Sequence, residues 1–450
     1  MTTRPTLTEA LIVHIRAKPV TDADLEAAAG LVLDTLAGAI AARETRPARA
    51  VAAFTPYETA DAGRRAFHFG GLAHILELDD LHRGSVTHPA CVVIPPAAAL
   101  AEETGAGGRE FLTAVLHGYE ACCRIGAGVG KAHYKVFHNT ATCGPFGAAM
   151  AAATLLDLTD EEAAWALGNA GAQASGVWEF LAAGAMSKHL HTARAAESGV
   201  IAAKLAREGF TGARTILEGE KGFFAAFCAD PEPEAVLAEP QAPWQLTRTS
   251  LKPWPCCRHT QPTIDAALSL QSRIAGRPIR AVEVGTYQAA LDLCDRAEVS
   301  DMTAAKFSLQ HCVAAALADG AIWTDTFEAE ARERLSALRR TVTVSHDATA
   351  ESAYPRDWGA RLVVTLDDGE RLEERCTACK GDPDNPLLPA KIEHKARLLL
   401  ADAGWPEHES DRLIGRIGAL PGADTVGDLF RSALATGGGR PAAHPRAARA

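Results

Sequence analysis

No stretch of about 18 uninterrupted apolar residues occurs in the chain, so no membrane-spanning helix is expected. Basic residues are in deficit. The chain carries 45 Lys+Arg against 56 Asp+Glu, a formal net charge of −11, which argues against a nucleic-acid partner, since such footprints are basic. The deficit leaves small anionic substrates open, because a local cationic pocket can sit in an acidic protein. Met1 to Lys18 lacks a basic head followed by an apolar run and a small-residue cleavage site, so no secretory leader is expected. The eleven cysteines are an odd number without framework spacing. Reduced thiols and a cytoplasmic location fit that pattern.

What is present suits a packed protein. Hydrophobic residues make up 47% of 450 residues, enough for two or three domains of roughly 100–200 residues each. The first part reads as helix. Thr21-Asp22-Ala23-Asp24 is a cap, followed by Leu25, Ala29, Val32, Leu36 and Ile40 at helical spacing. Helical patterns recur at Glu110 to Ile125, in the Ala-rich run Gly147 to Leu156, after the Thr159 cap, and from Ala193 to Arg207. The character changes near Pro253. Val282 to Thr286, Thr341 to Ser345, Arg361 to Leu366 and Arg371 to Cys376 alternate as strands do, the last two joined by the turn Asp367-Asp368-Gly369. Helical patterns at Ala304 to Ala318 and Glu328 to Leu338 lie among them, so an α+β domain is expected over 251–390. Helix resumes at Ile392 to Leu400, and 437–450 reads as a disordered tail.

Four polar clusters stand out. One is Glu77-Leu78-Asp79-Asp80-Leu81-His82 with Thr87-His88. The second is His133-Tyr134 with His138. The third is Ser187-Lys188-His189-Leu190-His191, placed just before a helix. The fourth is Lys252-Pro253-Trp254-Pro255-Cys256-Cys257-Arg258-His259. Each alone could be a solvated turn with capping duties. Together they supply imidazoles near neutral pKa for acid–base work, and Lys188, His191, Lys252 and Arg258 as carboxylate binders. Asp79, Asp80, His82 and His88 could alternatively hold a metal, although they lack one-face helical spacing. Gly126 to Lys131 imitates a phosphate loop, but it follows a helix and has Ala132 in place of Ser/Thr. Cys376-Thr-Ala-Cys379 has no second pair and reads as two ordinary thiols. Trp165, Trp178 and Trp254 read as core or lining residues.

Taken in order, the clusters resemble the MmgE/PrpD family over about residues 7 to 430. The resemblance rests on His74 to His82 with Thr87-His88-Pro89, Gly118-Tyr119-Glu120, and His138-Asn-Thr-Ala-Thr-Cys-Gly-Pro-Phe-Gly147. It continues through Ser187 to His191, Gly209 to Gly212, Ile216 to Gly219, Lys252 to His259 and Ala305 to Ser308. It implies a mainly α fold: a large all-helical domain from both chain ends (1–250 with 391–436) and a smaller α+β lid closing over an anionic ligand. It also implies a homodimer, no metal and no organic cofactor. The reaction it implies is proton transfer next to a carboxylate of a small di- or tricarboxylate. A 2-methylcitrate dehydratase-like dehydration is expected, with epimerisation or decarboxylation as alternatives. A metal-dependent hydrolase and a non-catalytic binder are readings from other classes.

Carried over motif by motif, the resemblance places site residues at Glu77, His88, His138, Lys188 and Lys252, with Tyr134 and His259 as additions. Asp79 and Asp80 would orient an imidazole or lysine. His82, Thr87, His191 and Arg258 would contact substrate. Two positions depart from the family pattern: Glu77 replaces an Asp, and His189 replaces a Pro.

Overall fold

The computed structural model describes residues 5–435; the tail expected to be disordered lies outside them. Contacts divide the described chain into two compact units. One comprises 5–75, 85–248 and 388–435, and the other comprises 76–84 and 249–387.

The first unit is helical. The helix Asp22–Ala41 starts at a reciprocal cap: Asp24 N donates to Thr21, and Thr21 N donates to Asp24. Thr159 and Glu162 repeat the device for Asp160–Gly171. The Ala-rich helix spans Asn139–Leu155 and is buried at every position through Ala153. It packs against Gly108–Ala127 and Ser187–Arg207. Small residues set those crossings. A Cβ on Gly147 would stand 2.7 Å from Cβ of Cys122, and one on Gly199 would stand 2.3 Å from Cβ of Ala148. The helix Ser187–Arg207 begins at Ser187 rather than near Ala193, so the third polar cluster forms its first turns instead of preceding it.

Both ends of the chain build this unit. Pro389–Asp402 and Glu407–Gly418 pack on Asp22–Ala41, and Nζ of Lys395 lies 2.7 Å from Asp34, with both side chains buried.

The second unit holds a four-stranded mixed sheet in the order Val342–His346, Ile279–Thr286, Ala360–Leu366, Arg371–Cys376. Its first pair is parallel and the others antiparallel. Val282 and Val284 pair with Val364 and Leu362 and join one core with Ile264, Leu270 and Val313 from the helices Gln261–Ile274 and Leu309–Asp319. The expected helix over 304–318 is broken into Met302–Lys306 and Leu309–Asp319, because Ser308 caps the latter by accepting from His311 N at 3.0 Å. That over 328–338 divides into Ala329–Arg334 and Ser336–Arg339. The segment 76–84, left with the helices in the sequence reading, groups with this unit. The reason is backbone pairing, Leu81 with Ser250 and His82 with Thr249.

Lys395→Met removes the cationic member of the buried Lys395–Asp34 pair. The unfolding free energy, read from urea denaturation followed by helical circular dichroism, should fall by about 3–5 kcal/mol. A change below about 1 kcal/mol would mark the pair as solvated.

Candidate active site

Helix ends bring a group of ionisable side chains together in the first unit. His74 closes the helix Ala62–Ala73, and His138 is the N-cap of Asn139–Leu155. His88 lies two residues ahead of Ala90–Thr104, while Lys188 and His191 sit in the first turns of Ser187–Arg207. Helix starts present unpaired N–H groups and positive dipole ends, which favour anions. The His74 ring centroid lies 4.6 Å from that of His88 and 5.9 Å, stacked, from that of His138. His138 and His191 bring their Nδ1 atoms to 3.4 Å. Aromatic rings line the same group: Trp178 lies 5.0 Å from His138, 5.2 Å from Tyr134 and 5.4 Å from Phe180.

The backbone around these groups is pinned. His138 N donates to Gly176 O at 3.1 Å, and Trp178 N donates to Val136 O at 3.1 Å. His88 N donates to Thr140 Oγ1 at 3.0 Å, and Asn139 Nδ2 donates to Ser85 O at 2.8 Å. Thr87 is buried, its hydroxyl 2.6 Å from that of Ser85. The carbon atoms of these two side chains also explain Gly126 of the phosphate-loop look-alike, where a Cβ would meet Ser85 Cβ at 2.8 Å and Thr87 Cγ2 at 3.0 Å. His133 is structural, with Nδ1 3.0 Å from Phe227 O and Nε2 2.8 Å from Thr142 Oγ1. At the family's proline position, His189 N donates to Met186 O at 3.1 Å, a bond that proline cannot make.

Burial, followed by the Lys188 charge and then by the neighbouring imidazoles, holds the His138 pKa well below the usual 6.5. Burial, then His74 and Lys188, bring His191 to about 4. Both imidazoles are therefore neutral at neutral pH. His138 is 1% exposed, and among the described residues its Nε2 has no hydrogen-bond partner; neither has Nε1 of Trp178. Ring nitrogens of His74, His88 and His138 all lie within 4.8 Å of one another and could ligate a metal. The Lys188 ammonium that depresses His138 opposes a cation there and favours an anion.

In the second unit, Lys252 is fully buried, with Nζ 3.5 Å from Glu77 and 3.6 Å from Asp79. Burial alone would lower its pKa, but Asp79 and then Glu77 outweigh burial and raise it. The lysine is thus held charged. Glu77 adopts φ 59°, a left-handed conformation costing about 1–2 kcal/mol in a non-glycine residue. Lys306 Nζ fixes the same segment by donating to Leu76 O at 3.1 Å. A metal at Asp79 would have to face the Lys252 ammonium.

Arg258 donates to Asp382 and, at 3.1 Å, to Cys379 Sγ. Asp382 also accepts from Ser250 Oγ at 2.6 Å and lies 3.5 Å from Arg83. The His259 ring stacks on Trp358 at 4.3 Å, with Nδ1 2.8 Å from the Tyr287 hydroxyl. Burial, then Arg258 and Lys252, lower its pKa to about 3. Asp80 and His82 are buried; the His82 ring approaches Gly84, where a Cβ would lie 3.2 Å away.

The structure thus brings His88, His138, Lys188, His191 and Tyr134 into one group, and Glu77, Asp79 and Lys252 into another. Arg258 and His259 are engaged by Asp382, Trp358 and Tyr287. Sequence reasoning passed over His74 and Asp382 as site residues and took Trp178 for core or lining. His74 had a weak signal, as the first residue of the motif ending at His82; Asp382 and Trp178 had none in local pattern.

The MmgE/PrpD N-terminal domain model matches residues 9–236, and the MmgE/PrpD C-terminal domain model matches 254–415. A cis-aconitate decarboxylase-like protein of Aspergillus oryzae is 27% identical over 359 residues, 73% of this chain and 74% of the relative. The cis-aconitate decarboxylase of Homo sapiens is 28% identical over 357 residues, 74% and 71% of the two chains. That of Aspergillus terreus is 27% identical over 356 residues, 72% and 71%.

Low pH should unfold the protein through these imidazoles. An unfolded histidine titrates near 6.5, whereas folded His191 and His259 titrate at about 4 and about 3. Between those values the unfolded state binds more protons. The stability contribution is complete above pH 6.5 and is lost as pH falls toward 4 and then 3. Melting temperatures across that range should decline, and His259→Gln should flatten the slope. An unchanged slope in His259→Gln would place the titrating groups elsewhere.

Proposed function

The chain belongs to the MmgE/PrpD family, and we propose that it breaks a bond next to a carboxylate of a small di- or tricarboxylate, using proton transfer by its own side chains. It is an enzyme of the lyase or isomerase kind. For the finer reaction we favour decarboxylation of a cis-aconitate-like tricarboxylate. Support comes from relatives carrying that activity in their names. They lend no support to the 2-methylcitrate-type dehydration that the family resemblance implied.

The observation that carries the proposal is His138: a buried imidazole at a helix start, its Nε2 without a hydrogen-bond partner among the described residues, close enough to Lys188 for the ammonium to depress its pKa. In a decarboxylation the C–CO₂ bond breaks and its electron pair stays on carbon. That carbanion-like centre needs a cation nearby and a proton. Lys188, at a positive helix end, holds a substrate carboxylate. His138 delivers the proton. Burial and Lys188 keep His138 neutral, but a bound polyanion offsets the positive charge that depresses it, so the imidazole takes up the proton it will donate. His88 and His191 stand beside it as relays, and Trp178 Nε1 is a further donor for an anionic oxygen. In the second unit, Lys252 is proposed as a carboxylate-binding cation kept charged by Asp79 and Glu77.

The reaction is tested by NMR in D₂O with citrate, methylcitrate, aconitate and iminodisuccinate. Loss of CO₂ with one deuterium incorporated supports decarboxylation. Dehydration or deuterium exchange without loss of carbon would reassign the reaction within the family. Lack of turnover of any would favour a non-catalytic binder. His138→Ala should lower turnover about 10²–10⁴-fold with a much smaller change in affinity, while Lys188→Ala should mainly raise KM. A destabilised but fully active His138→Ala protein would defeat the assignment.

Binding itself should consume protons near neutral pH. Calorimetric titration with cis-aconitate in buffers of different ionisation enthalpy reads that uptake directly. Wild type should take up protons and His138→Ala measurably fewer; equal uptake would remove His138 as the group that charges.

A further inference from the structure

We propose that Asp265, Cys376 and Cys379 form a binding site for a soft divalent metal such as zinc. None of the three is assigned to substrate. Asp265 comes from the helix Gln261–Ile274, Cys376 ends the strand Arg371–Cys376, and Cys379 follows in the next turn. The Cys-x-x-Cys spacing puts two thiols on one side of the turn, and the fold adds the carboxylate that the sequence lacked. Their ligand atoms all lie within 4.8 Å of one another. Zinc bonds of about 2.3 Å to sulfur and about 2.0–2.2 Å to oxygen give tetrahedral edges of about 3.5–3.8 Å. A contraction of about 1 Å therefore closes the set.

The frame is already in place. Lys380 N donates to Asp265 Oδ2 at 2.8 Å, and Cys379 N donates to Asp382 Oδ2 at 3.1 Å. Gly381, at φ 89°, lets the turn lie against the chain, since a Cβ there would stand 1.9 Å from Leu251 O. Arg258 donates to Cys379 Sγ at 3.1 Å. Such an N–H to sulfur contact suits a metal-bound thiolate and offsets the single negative charge left when two thiolates and one carboxylate bind M²⁺. Cys376 Sγ points at Asp265 Oδ2 from 4.0 Å. Binding displaces the thiol protons of Cys376 and Cys379, two per metal, to solvent. Cys376 is partly exposed and Cys379 buried, which gives the ion an entry side and a closed inner side. Sulfur ligands select zinc-like ions over magnesium or calcium.

The histidine triad is one competing site and contains no sulfur, while a group that includes the Cys91 thiol is separated by the cysteine variants below. Cobalt(II) therefore distinguishes them through its thiolate charge-transfer absorption. Full-length protein, reduced and stripped by chelator, is titrated with Co²⁺. One equivalent should bind with that band, and Zn²⁺ should displace it. Cys376→Ser and Cys379→Ser should each lose or sharply reduce the band. Asp265→Asn should keep it but weaken binding, with folding of each variant checked by circular dichroism. In wild type, Zn²⁺ should protect Cys376 and Cys379 from alkylation, read by mass spectrometry. Cobalt bound without the band, a band persisting in the double cysteine variant, or no protection by Zn²⁺ would overturn the site.

Discussion

Placing cationic and titratable groups at helix starts inside a buried helical layer is the constraint on which the first unit depends. Asn139–Leu155 is buried along nearly its full length, and glycines at 147 and 199 bring its neighbours to contact distance. His138 cannot retreat from that layer. Its main chain is tied to Gly176, so the imidazole stays among Lys188, His74, His88 and His191. Burial and like charge then act in the same direction on its pKa. The same close packing that excludes larger residues from the helix crossings thus sets the protonation state of the group proposed to move the proton.

The second unit solves the opposite problem, keeping a buried lysine charged. Two carboxylates outweigh the desolvation of Lys252, and one of them sits on a backbone turned into the left-handed region. That conformation persists because its segment is held at both ends of its length, by Lys306 on the Leu76 carbonyl and by the short pairing of Leu81–His82 with Thr249–Ser250. Asp382 works beside it as a hub. By accepting from Ser250, Arg258 and the Cys379 amide, one carboxylate orders the turn that carries the dithiol and the chain leading to Lys252. An arginine that looked in sequence like a substrate clamp is thereby engaged in holding the frame.

Much of this was legible before folding. The caps at Thr21 and Thr159, the alternation of Val282 to Thr286 and the turn at Asp367 to Gly369 are local signals, and the corresponding elements lie where those signals put them. Hydrogen bonds and periodicity within a few residues decide such features. The ordered motifs likewise sufficed for the family. What stayed hidden was non-local. The helix over 304–318 is interrupted because a serine cap competes with the apolar period, and a cap's success depends on its surroundings. The early start at Ser187 has the same origin: its first turn has no side-chain cap to announce it.

By itself the sequence determined the inventory: which residues carry charge, which helices have one small-residue face, and which thiols are two residues apart. Tertiary structure decided what each group meets. His74 became part of a histidine stack, and Trp178 the aromatic neighbour of His138. Arg258 met Asp382, and Asp265 met Cys376 and Cys379 across more than a hundred residues of chain. Secondary structure follows from interactions over a few residues. pKa values and ligand sets instead depend on distances of a few ångströms between residues remote in sequence, which only the packed chain specifies.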